Sequence, residues 1–136
     1  MNRGRAACTE NDLEVLQARW PVPGQVHDAH YLRQQEGSAT YLVAWDGAEP
    51  VGSGMVQWRG CVMDNARASY PDGIEVNHLQ VRPALRGRGA GTSLLLAAER
   101  MVRERGHDLI AVSVAAENAD AARLYQRLGY QPTGVI

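Results

Sequence analysis

The segment from residue 74 to residue 106 places the tightest constraint on the fold of this chain. It runs from an alternating pattern, "IEVNHLQV" (74–81), through three glycines in "RGRGAG" (86–91), into a leucine-rich stretch that Gly106 ends. The alternation predicts a strand, and the apolar stripe predicts an amphipathic helix. A glycine inside a helix costs about 1 kcal/mol relative to alanine. The loop therefore indicates either a flexible turn or a point where something large approaches the backbone.

Patterns along the rest of the chain predict helices and strands around that unit. The Asp46-Gly47 pair is typical of a hairpin turn, and Thr9 with Asp12 three residues later is a helix N-cap pattern. The predicted elements are a strand at 5–9, helices at 9–19 and 25–35, strands at 40–45 and 50–58, a long loop at 59–73, a strand buried on both faces at 109–114, and a helix at 118–128 before a short tail. This order indicates an α/β (α+β) protein.

Composition limits the classes of partner. The 136 residues are expected to form one domain, 1–136, and a net charge of -1 argues against a general nucleic-acid binder. All 14 basic residues are arginine, so Schiff-base chemistry on a lysine is excluded. No apolar run reaches the roughly 20 residues that span a bilayer, so no membrane partner is expected. The N-terminus lacks an apolar signal segment, and Cys8 and Cys61 are too few for a disulfide framework, which favours a cytoplasmic location.

The glycine loop is suited to an anion. A helix N-terminus presents unpaired N–H groups and about half a positive charge, and glycine lets a phosphate or pyrophosphate approach it closely. Arg86 and Arg88 add positive charge. The glycine spacing differs from the GxGxxG dinucleotide pattern, and a Walker A loop needs a lysine. A nucleotide-phosphate binder of either type is therefore disfavoured.

Two motifs resemble those of one enzyme superfamily. Arg86-x-x-Gly89-x-Gly91, preceded by a strand that ends in Val81-x-Pro83, resembles the acetyl-CoA-binding signature of the GNAT superfamily of N-acetyltransferases. A second signature of that family, N-x-x-A-x-x-x-Y-x-x-x-G-[FY], is matched by Asn118, Ala121, Tyr125, Gly129 and Tyr130. The resemblance implies a mixed, mostly antiparallel sheet with helices on both faces, splayed between its two central parallel strands.

The resemblance also implies acetyl-CoA as co-substrate and no metal. In this family, backbone groups of the strand pair with the pantetheine arm, the glycine loop holds the pyrophosphate, and the second signature lies along the arm. The residues thereby assigned to acetyl-CoA are Leu79, Gln80, Val81, Arg86, Gly87, Arg88, Gly89, Ala90, Gly91, Thr92, Asn118, Ala121 and Tyr125. Arg82, Arg86 and Arg88 are all candidates for the 3′-phosphate. Asn118 is equally a candidate for a helix N-cap.

Glu75 and Tyr125 are the catalytic candidates. An alkylammonium group is not nucleophilic until it loses a proton. The resemblance implies that Glu75 removes this proton, directly or through water, and that Tyr125 protonates the departing thiolate. It also implies that a backbone N–H near Leu79 binds the carbonyl oxygen on which negative charge develops. The alternatives are a salt bridge or a solvated strand end for Glu75 and core packing for Tyr125.

The histidines are expected to be structural or exposed. Strict alternation divides the strand into a face with Glu75, Asn77, Leu79 and Val81 and a face with Ile74, Val76, His78 and Gln80. His78 thus points away from Glu75 and is expected to be structural. His27 and His30 lie three apart on the second helix, which lines the acceptor cleft in this family. Two histidines without a third ligand are weak evidence for a metal, so they are expected to be surface residues.

These features predict an enzyme that transfers the acetyl group of acetyl-CoA to a primary amine of a small molecule or a peptide by direct attack. A non-catalytic acyl-CoA-binding or sensing module is the alternative, although it would need neither catalytic candidate. The loop 59–73 and "WPVPG" (20–24) are expected to select the acceptor. GNAT chains usually continue through two strands after the last helix, whereas 129–136 leaves room for one. The sheet edge is then open or is covered by the partner subunit of a homodimer.

Overall fold

A computed structural model describes residues 7–62, 64–85, 89–113 and 119–130, with the backbone alone for 65, 66 and 119–121. Part of the predicted acetyl-CoA site therefore lies outside the described residues. These residues are Arg86, Gly87, Arg88, Asn118 and the side chain of Ala121, and the tail 131–136 lies outside as well.

The described residues form one four-stranded mixed sheet with helices on both faces. Its strands, in spatial order, are β1 (Ala39–Asp46), β2 (Glu49–Gln57), β3 (Ile74–Val81) and β4 (Ile110–Val112). The first two pairings are antiparallel, and β3 pairs with β4 in parallel. The α-helices are α1 (Glu10–Arg19), α2 (Val26–Gln35), α3 (Asp64–Ser69), α4 (Ala90–Glu104) and α5 (Ala119–Arg127). The predicted mixed, mostly antiparallel sheet is confirmed.

A separate hydrophobic cluster covers each face of the sheet. On one face, Leu42, Val56 and Val76 pack with residues of α4 such as Leu94, and Tyr125 of α5 joins them. On the other face, the cluster consists of Cys8, Leu16, Ala39, Tyr41, Val43 and Met55. Alternation along β1 divides its side chains between the two clusters. The sheet therefore separates an α4/α5 side from an α1/α2 side.

Local sequence signals explain several element boundaries. Thr9 caps α1, because its hydroxyl accepts the Asp12 N–H at 3.0 Å while the Asp12 carboxylate accepts the Thr9 N–H at 3.0 Å. This is the predicted capping pattern. The β1–β2 hairpin turns at Gly47, which has a φ of 62°. Ala7 forms an antiparallel bridge to Leu42, at the described part of the strand predicted for 5–9.

Two predicted elements differ from the structure. The segment 59–73, predicted as a loop, contains the six-residue helix α3. An acid at its start and Arg67 in its last turn both favour a short helix, and the Arg67 Nε donates to the Cys61 carbonyl at 3.0 Å. β4 spans only 110–112 of the predicted strand 109–114, whose last residue is not described. Its three residues are half-buried rather than enclosed on both faces.

The predicted alternation along β3 is wrong, because the strand contains a β-bulge. Asn77 pairs with Met55 and Gln80 pairs with Ser53, so two residues of β3 stand opposite Gly54 alone. They are His78, whose φ of 53° lies in the left-handed region, and the residue after it. A bulge shifts the register by one residue, which moves every later side chain to the opposite face.

The two halves of β3 therefore present different residues to each face. Leu79 and Val81 pack against the α4/α5 cluster, on the side of Ile74 and Val76. His78 contacts α2 on the side of Glu75, the reverse of its predicted direction.

Two glycines of β2 allow the strands to approach at the bulge. A Cβ atom on Gly52 would lie 2.8 Å from the Gln80 carbonyl oxygen, and one on Gly54 would lie 3.1 Å from Leu79 Cδ1. The first distance is a backbone clash that side-chain rotation cannot relieve. Gly52 is therefore required for the pairing that follows the bulge.

We expect Gly52→Ala to destabilise the fold by about 1–3 kcal/mol, the usual cost of overpacking. Gly91→Ala is the matched control, because its Cβ would meet side-chain methyl groups and no backbone, namely Leu124 Cδ2 at 3.0 Å and Val81 Cγ2 at 3.8 Å. Urea unfolding of both variants measures the difference. Equal midpoints for the two variants would contradict the role assigned to Gly52.

Candidate active site

Glu75 is buried under a short hydrogen-bond chain on the α1/α2 side of the sheet. It is 5% exposed. Its Oε2 accepts from Asn77 Nδ2 at 2.6 Å, and its Oε1 accepts from the Val62 N–H at 3.3 Å. Asn77 Oδ1 in turn accepts from Gln57 Nε2 at 3.0 Å. Side-chain amides and one backbone N–H thus hold the carboxylate, rather than the salt bridge considered as the alternative.

His30 and His78 form a ring pair beside this carboxylate. Their ring centroids are 4.8 Å apart. His30 is 5% exposed, and its Nδ1 is a buried atom without a hydrogen-bond partner in the described part of the chain. Burial, followed by the charges of His78 and Arg33, lowers the pKa of His30 to about 4. His78 itself is exposed.

His27 lies on the same face of α2, one turn before His30, and is also buried. Its Nε2 lies 2.7 Å from the Trp20 carbonyl, which can only accept, so this nitrogen carries the proton. In the neutral ring, Nδ1 then accepts from the Tyr41 hydroxyl at 2.6 Å. The expectation that His27 and His30 are surface residues is wrong, because α2 turns both of them toward β1.

Tyr125 lies on the opposite side of the sheet. It is 4% exposed within the α4/α5 cluster, and its ring contacts the Tyr130 ring at 6.1 Å between centroids. Burial raises the pKa of Tyr125 to about 12, so the hydroxyl keeps its proton at neutral pH. Tyr130 donates to Glu99 Oε2 at 2.6 Å, which ties the end of α5 to α4. Tyr125 is therefore a core residue that still carries a proton.

The N-terminus of α4 is open to a ligand. Gly89 is its N-cap, has a φ of 84° and provides no side-chain cap, and the first turn carries no acidic residue. A Cβ on Gly89 would meet nothing within 4 Å. Glycine is favoured there by its left-handed backbone. Gly91, by contrast, has a packing reason, because Leu124 lies against it. Of the other assigned residues of this turn, Ala90 is buried and Thr92 is half-buried.

Arg82 is already engaged within the protein. Its Nη1 donates to Glu49 Oε2 at 2.8 Å and to the Pro50 carbonyl at 3.0 Å, and its guanidinium lies 5.9 Å from the Trp20 ring. These contacts tie the end of β3 to the start of β2. Arg82, one of the three arginines considered for the 3′-phosphate, is therefore held by contacts within the protein.

In the described part of the chain, β4 pairs with three residues of β3. Ile74, Glu75 and Val76 face 110–112, and the Ser113 N–H donates to the Val76 carbonyl at 3.2 Å. From Asn77 to Gln80, β3 has no β4 partner among the described residues. The predicted cofactor segment of β3 begins in this part of the strand. Leu79 is half-buried there, and the Gln80 side chain is exposed.

The described residues contain no group of three His, Cys, Asp or Glu side chains that could hold a metal ion. None of the helices in the described ranges is long and apolar enough to cross a membrane.

The fold and these motifs define a known class of protein. The profile of the Acetyltransferase (GNAT) family matches residues 9–130, so this chain belongs to the GNAT family. An uncharacterized N-acetyltransferase of Methanocaldococcus jannaschii is 36% identical over 62 residues, which are 46% of this chain and 27% of that protein. An aminoalkylphosphonate N-acetyltransferase of Salmonella typhimurium is 39% identical over 57 residues, which are 42% of this chain and 37% of that protein.

A longer match is to an uncharacterized N-acetyltransferase of Escherichia coli, 27% identical over 104 residues, or 76% of this chain and 58% of that protein. The chain thus spans less than two thirds of the length of each of these curated relatives. Among solved structures, an aminoglycoside N-acetyltransferase in complex with CoA has a TM-score of 0.72 at 21% identity, covering 98% of this chain and 89% of that chain. An N-acetyltransferase from Staphylococcus aureus has a TM-score of 0.73 at 16% identity, covering 94% and 82%. At these identities the likeness establishes the fold.

Sequence reasoning missed the contribution of His78, Asn77 and His30 to the polar group around Glu75. A signal was present in "PVGSGMV" (50–56), because glycines inside a strand often mark a bulge or a close approach of another backbone. The burial of His30 had no comparable signal, since α2 carries few apolar residues.

We expect acid to destabilise the protein through His30. A histidine whose pKa is about 4 when folded and about 6.5 when unfolded is neutral in the fold. The unfolded chain then binds more protons, so stability falls as the pH drops from about 6.5 toward 4. The loss between pH 7 and pH 5 amounts to about 2 kcal/mol. Urea unfolding at both pH values should give a shallower dependence for His30→Gln than for the exposed control His107→Gln. Equal pH dependence would contradict this assignment.

Proposed function

We propose that this chain is an acetyl-CoA-dependent N-acetyltransferase that acts on a primary amine of a small molecule or a peptide by direct attack. The observation that carries the proposal is the form of β3. This strand is bulged at His78, and it has β4 as a partner only as far as Val76 in the described residues. The end of this strand lies beside the N-terminus of α4, since a Cβ atom on Gly91 would lie 3.8 Å from Val81 Cγ2.

The residues present fit acetyl-CoA in three respects. The start of α4 has neither a side-chain cap nor an acid, so its N–H groups and positive dipole suit the pyrophosphate. Gly89 leaves open space where a side chain would stand. The half-buried Leu79 and the backbone of Gln80 and Val81 suit the amides of the pantetheine arm. Arg86, Gly87, Arg88, Asn118 and Ala121 complete the site on the family resemblance.

Acetyl-CoA would supply the acetyl group as a thioester. The Glu75 carboxylate attracts the proton of the acceptor ammonium, either directly or through an intervening group. The N–H near Leu79 donates to the carbonyl oxygen as negative charge develops there. The bulge bears on this role because a β-bulge commonly leaves one residue out of the hydrogen-bond ladder of the sheet. Tyr125, protonated at neutral pH because of its burial, donates its proton to the leaving sulfur. Glu75 and Tyr125 lie on opposite sides of the sheet, so both serve one reaction only where the β3–β4 pairing has ended.

The acceptor would enter from the α1/α2 side, where Glu75, Asn77 and His78 are grouped. The relatives named for aminoalkylphosphonate and aminoglycoside acetylation favour a small-molecule amine. A peptide amine remains within the proposal, and the segments 59–73 and 20–24 are expected to select between them.

We expect the purified protein to bind acetyl-CoA and CoA, and not ATP, in calorimetric titrations. Gly89→Asp should abolish that binding, because it places a negative carboxylate at the phosphate position and disturbs a left-handed residue. Gly89→Asn is the matched control, since asparagine tolerates the left-handed region and carries no charge. Unchanged acetyl-CoA affinity in Gly89→Asp would refute the assignment of the α4 N-terminus.

We expect Tyr125→Phe to lower kcat by roughly 10-fold to 100-fold while changing the dissociation constant of acetyl-CoA little, because the ring packing is kept and only the proton donor is lost. Free thiol release in the presence of a panel of amines measures turnover. The panel consists of a polyamine, an aminoglycoside, an aminoalkylphosphonate and a short peptide. Parallel losses in binding and in turnover would assign Tyr125 to packing. Binding of acetyl-CoA with no turnover of any amine would favour the non-catalytic module.

A further inference from the structure

We propose that His78 is the group that takes the proton from the acceptor amine, and that the buried Glu75 carboxylate is its charge partner. This proposal rests on the proposed N-acetyltransferase function, and it assigns the proton transfer within that function to a side chain that strict strand alternation turns away from the site.

Glu75 is poorly placed to meet a substrate itself. Only 5% of the residue is exposed. Each of its carboxylate oxygens already accepts a hydrogen bond, one from Asn77 and one from the Val62 N–H. A proton acceptor must come within hydrogen-bond distance of the proton it removes, or within one water of it. Glu75 therefore needs an exposed neighbour to carry the proton.

His78 is that neighbour because of the bulge. Its φ of 53° is unusual for a residue other than glycine. The resulting register shift turns the ring to the α2 side, where it contacts the His30 ring at 4.8 Å between centroids with an interplanar angle of 46°. Strained backbone that surrounding structure maintains is often found at functional sites. His30 in turn is 95% buried, and its Nδ1 has no hydrogen-bond partner in the described residues. A second imidazole therefore lies next to His78 on the α2 side of the sheet.

The charges around His78 favour a ring that is neutral near pH 7. The groups that face it are Glu75 on its own strand and Arg33 and His30 on α2. Burial is the largest influence and lowers the pKa of His78, Arg33 lowers it further, and Glu75 opposes both. A neutral imidazole has one nitrogen that can accept a proton. Its protonated form is then stabilised by the Glu75 charge.

The proton balance of the step is complete. The unprotonated ring nitrogen of His78 forms an N–H bond as the ammonium N–H bond of the acceptor breaks. The products are a free amine with its lone pair available for attack and an imidazolium ion on the α2 side of the sheet, whose charge is opposite to that of Glu75. The imidazolium then returns its proton to solvent, to which His78 is exposed. No oxidant, metal or further reactant is needed.

Kinetics of His78→Asn test the proposal, because asparagine suits the left-handed backbone at this position and carries no base. We expect kcat/KM at pH 7 to fall about 100-fold or more, with a much smaller change in the dissociation constant of acetyl-CoA. In the wild-type protein, kcat/KM should show an acidic limb with a midpoint below 6.5. That limb should be absent from His78→Asn and present in the control His107→Asn, which replaces a histidine outside the site.

Chemical rescue separates a base from a structural residue. His78→Gly also suits the left-handed backbone, and it leaves space for free imidazole. Added imidazole should restore part of the rate in His78→Gly and none in Glu75→Gln. A wild-type rate or a retained acidic limb in His78→Asn would overturn the proposal. A rate loss without any rescue by imidazole would also overturn it.

A measurement that requires no turnover keeps the proposal testable if no amine in the panel is acetylated. The ring protons of His78, followed by NMR, should titrate below 6.5, and Glu75→Gln should lower that midpoint further because it removes the opposing charge. An unchanged midpoint in Glu75→Gln would refute the charge pairing. Absence of acetyl-CoA binding in the wild-type protein would instead count against the proposed function, so the two failures are distinguishable.

Discussion

The bulge at His78 in β3 is the constraint on which the rest of the candidate site depends. One extra residue opposite Gly54 exchanges the two faces of the strand at its midpoint. Before the bulge, Glu75 and Asn77 lie on the α1/α2 side. After it, Leu79 and Val81 pack on the α4/α5 side. The apolar core thus continues on the α4/α5 face, while the polar side chains of Glu75, Asn77 and His78 lie on the α1/α2 face.

The burial of the Glu75 carboxylate carries a free-energy penalty that its hydrogen-bond donors offset. A buried carboxylate is stable only where donors satisfy it, and Asn77 and the Val62 N–H provide two such donors. The segment 59–73 provides the second of them from Val62, which precedes α3. His30 remains with a buried nitrogen that lacks a partner in the described residues.

The sheet separates the two catalytic candidates. Tyr125 belongs to the core under α4, whereas Glu75 belongs to the polar group under α2. In an intact sheet they would act on separate surfaces. They can share a reaction only at the end of β3, beyond Val76, where the described β4 no longer pairs with it. The proposed chemistry therefore depends on the separation of β3 from β4 beyond Val76 as much as on the identity of either residue.

The sequence by itself determined the order of the helices and strands other than α3, the cap of α1 by Thr9, the glycine start of α4 and the family. These depend on residue type and on contacts within a few residues, which a motif records directly. Only the tertiary structure decided the direction of His78, the burial of His27 and His30, and the packing role of Gly91. Each of these is set by a neighbour distant in sequence: Gly54 across the sheet, Tyr41 under α2 and Leu124 on α5. Strand alternation can be read from the chain, but the residue at which a bulge reverses it is chosen by the partner strand.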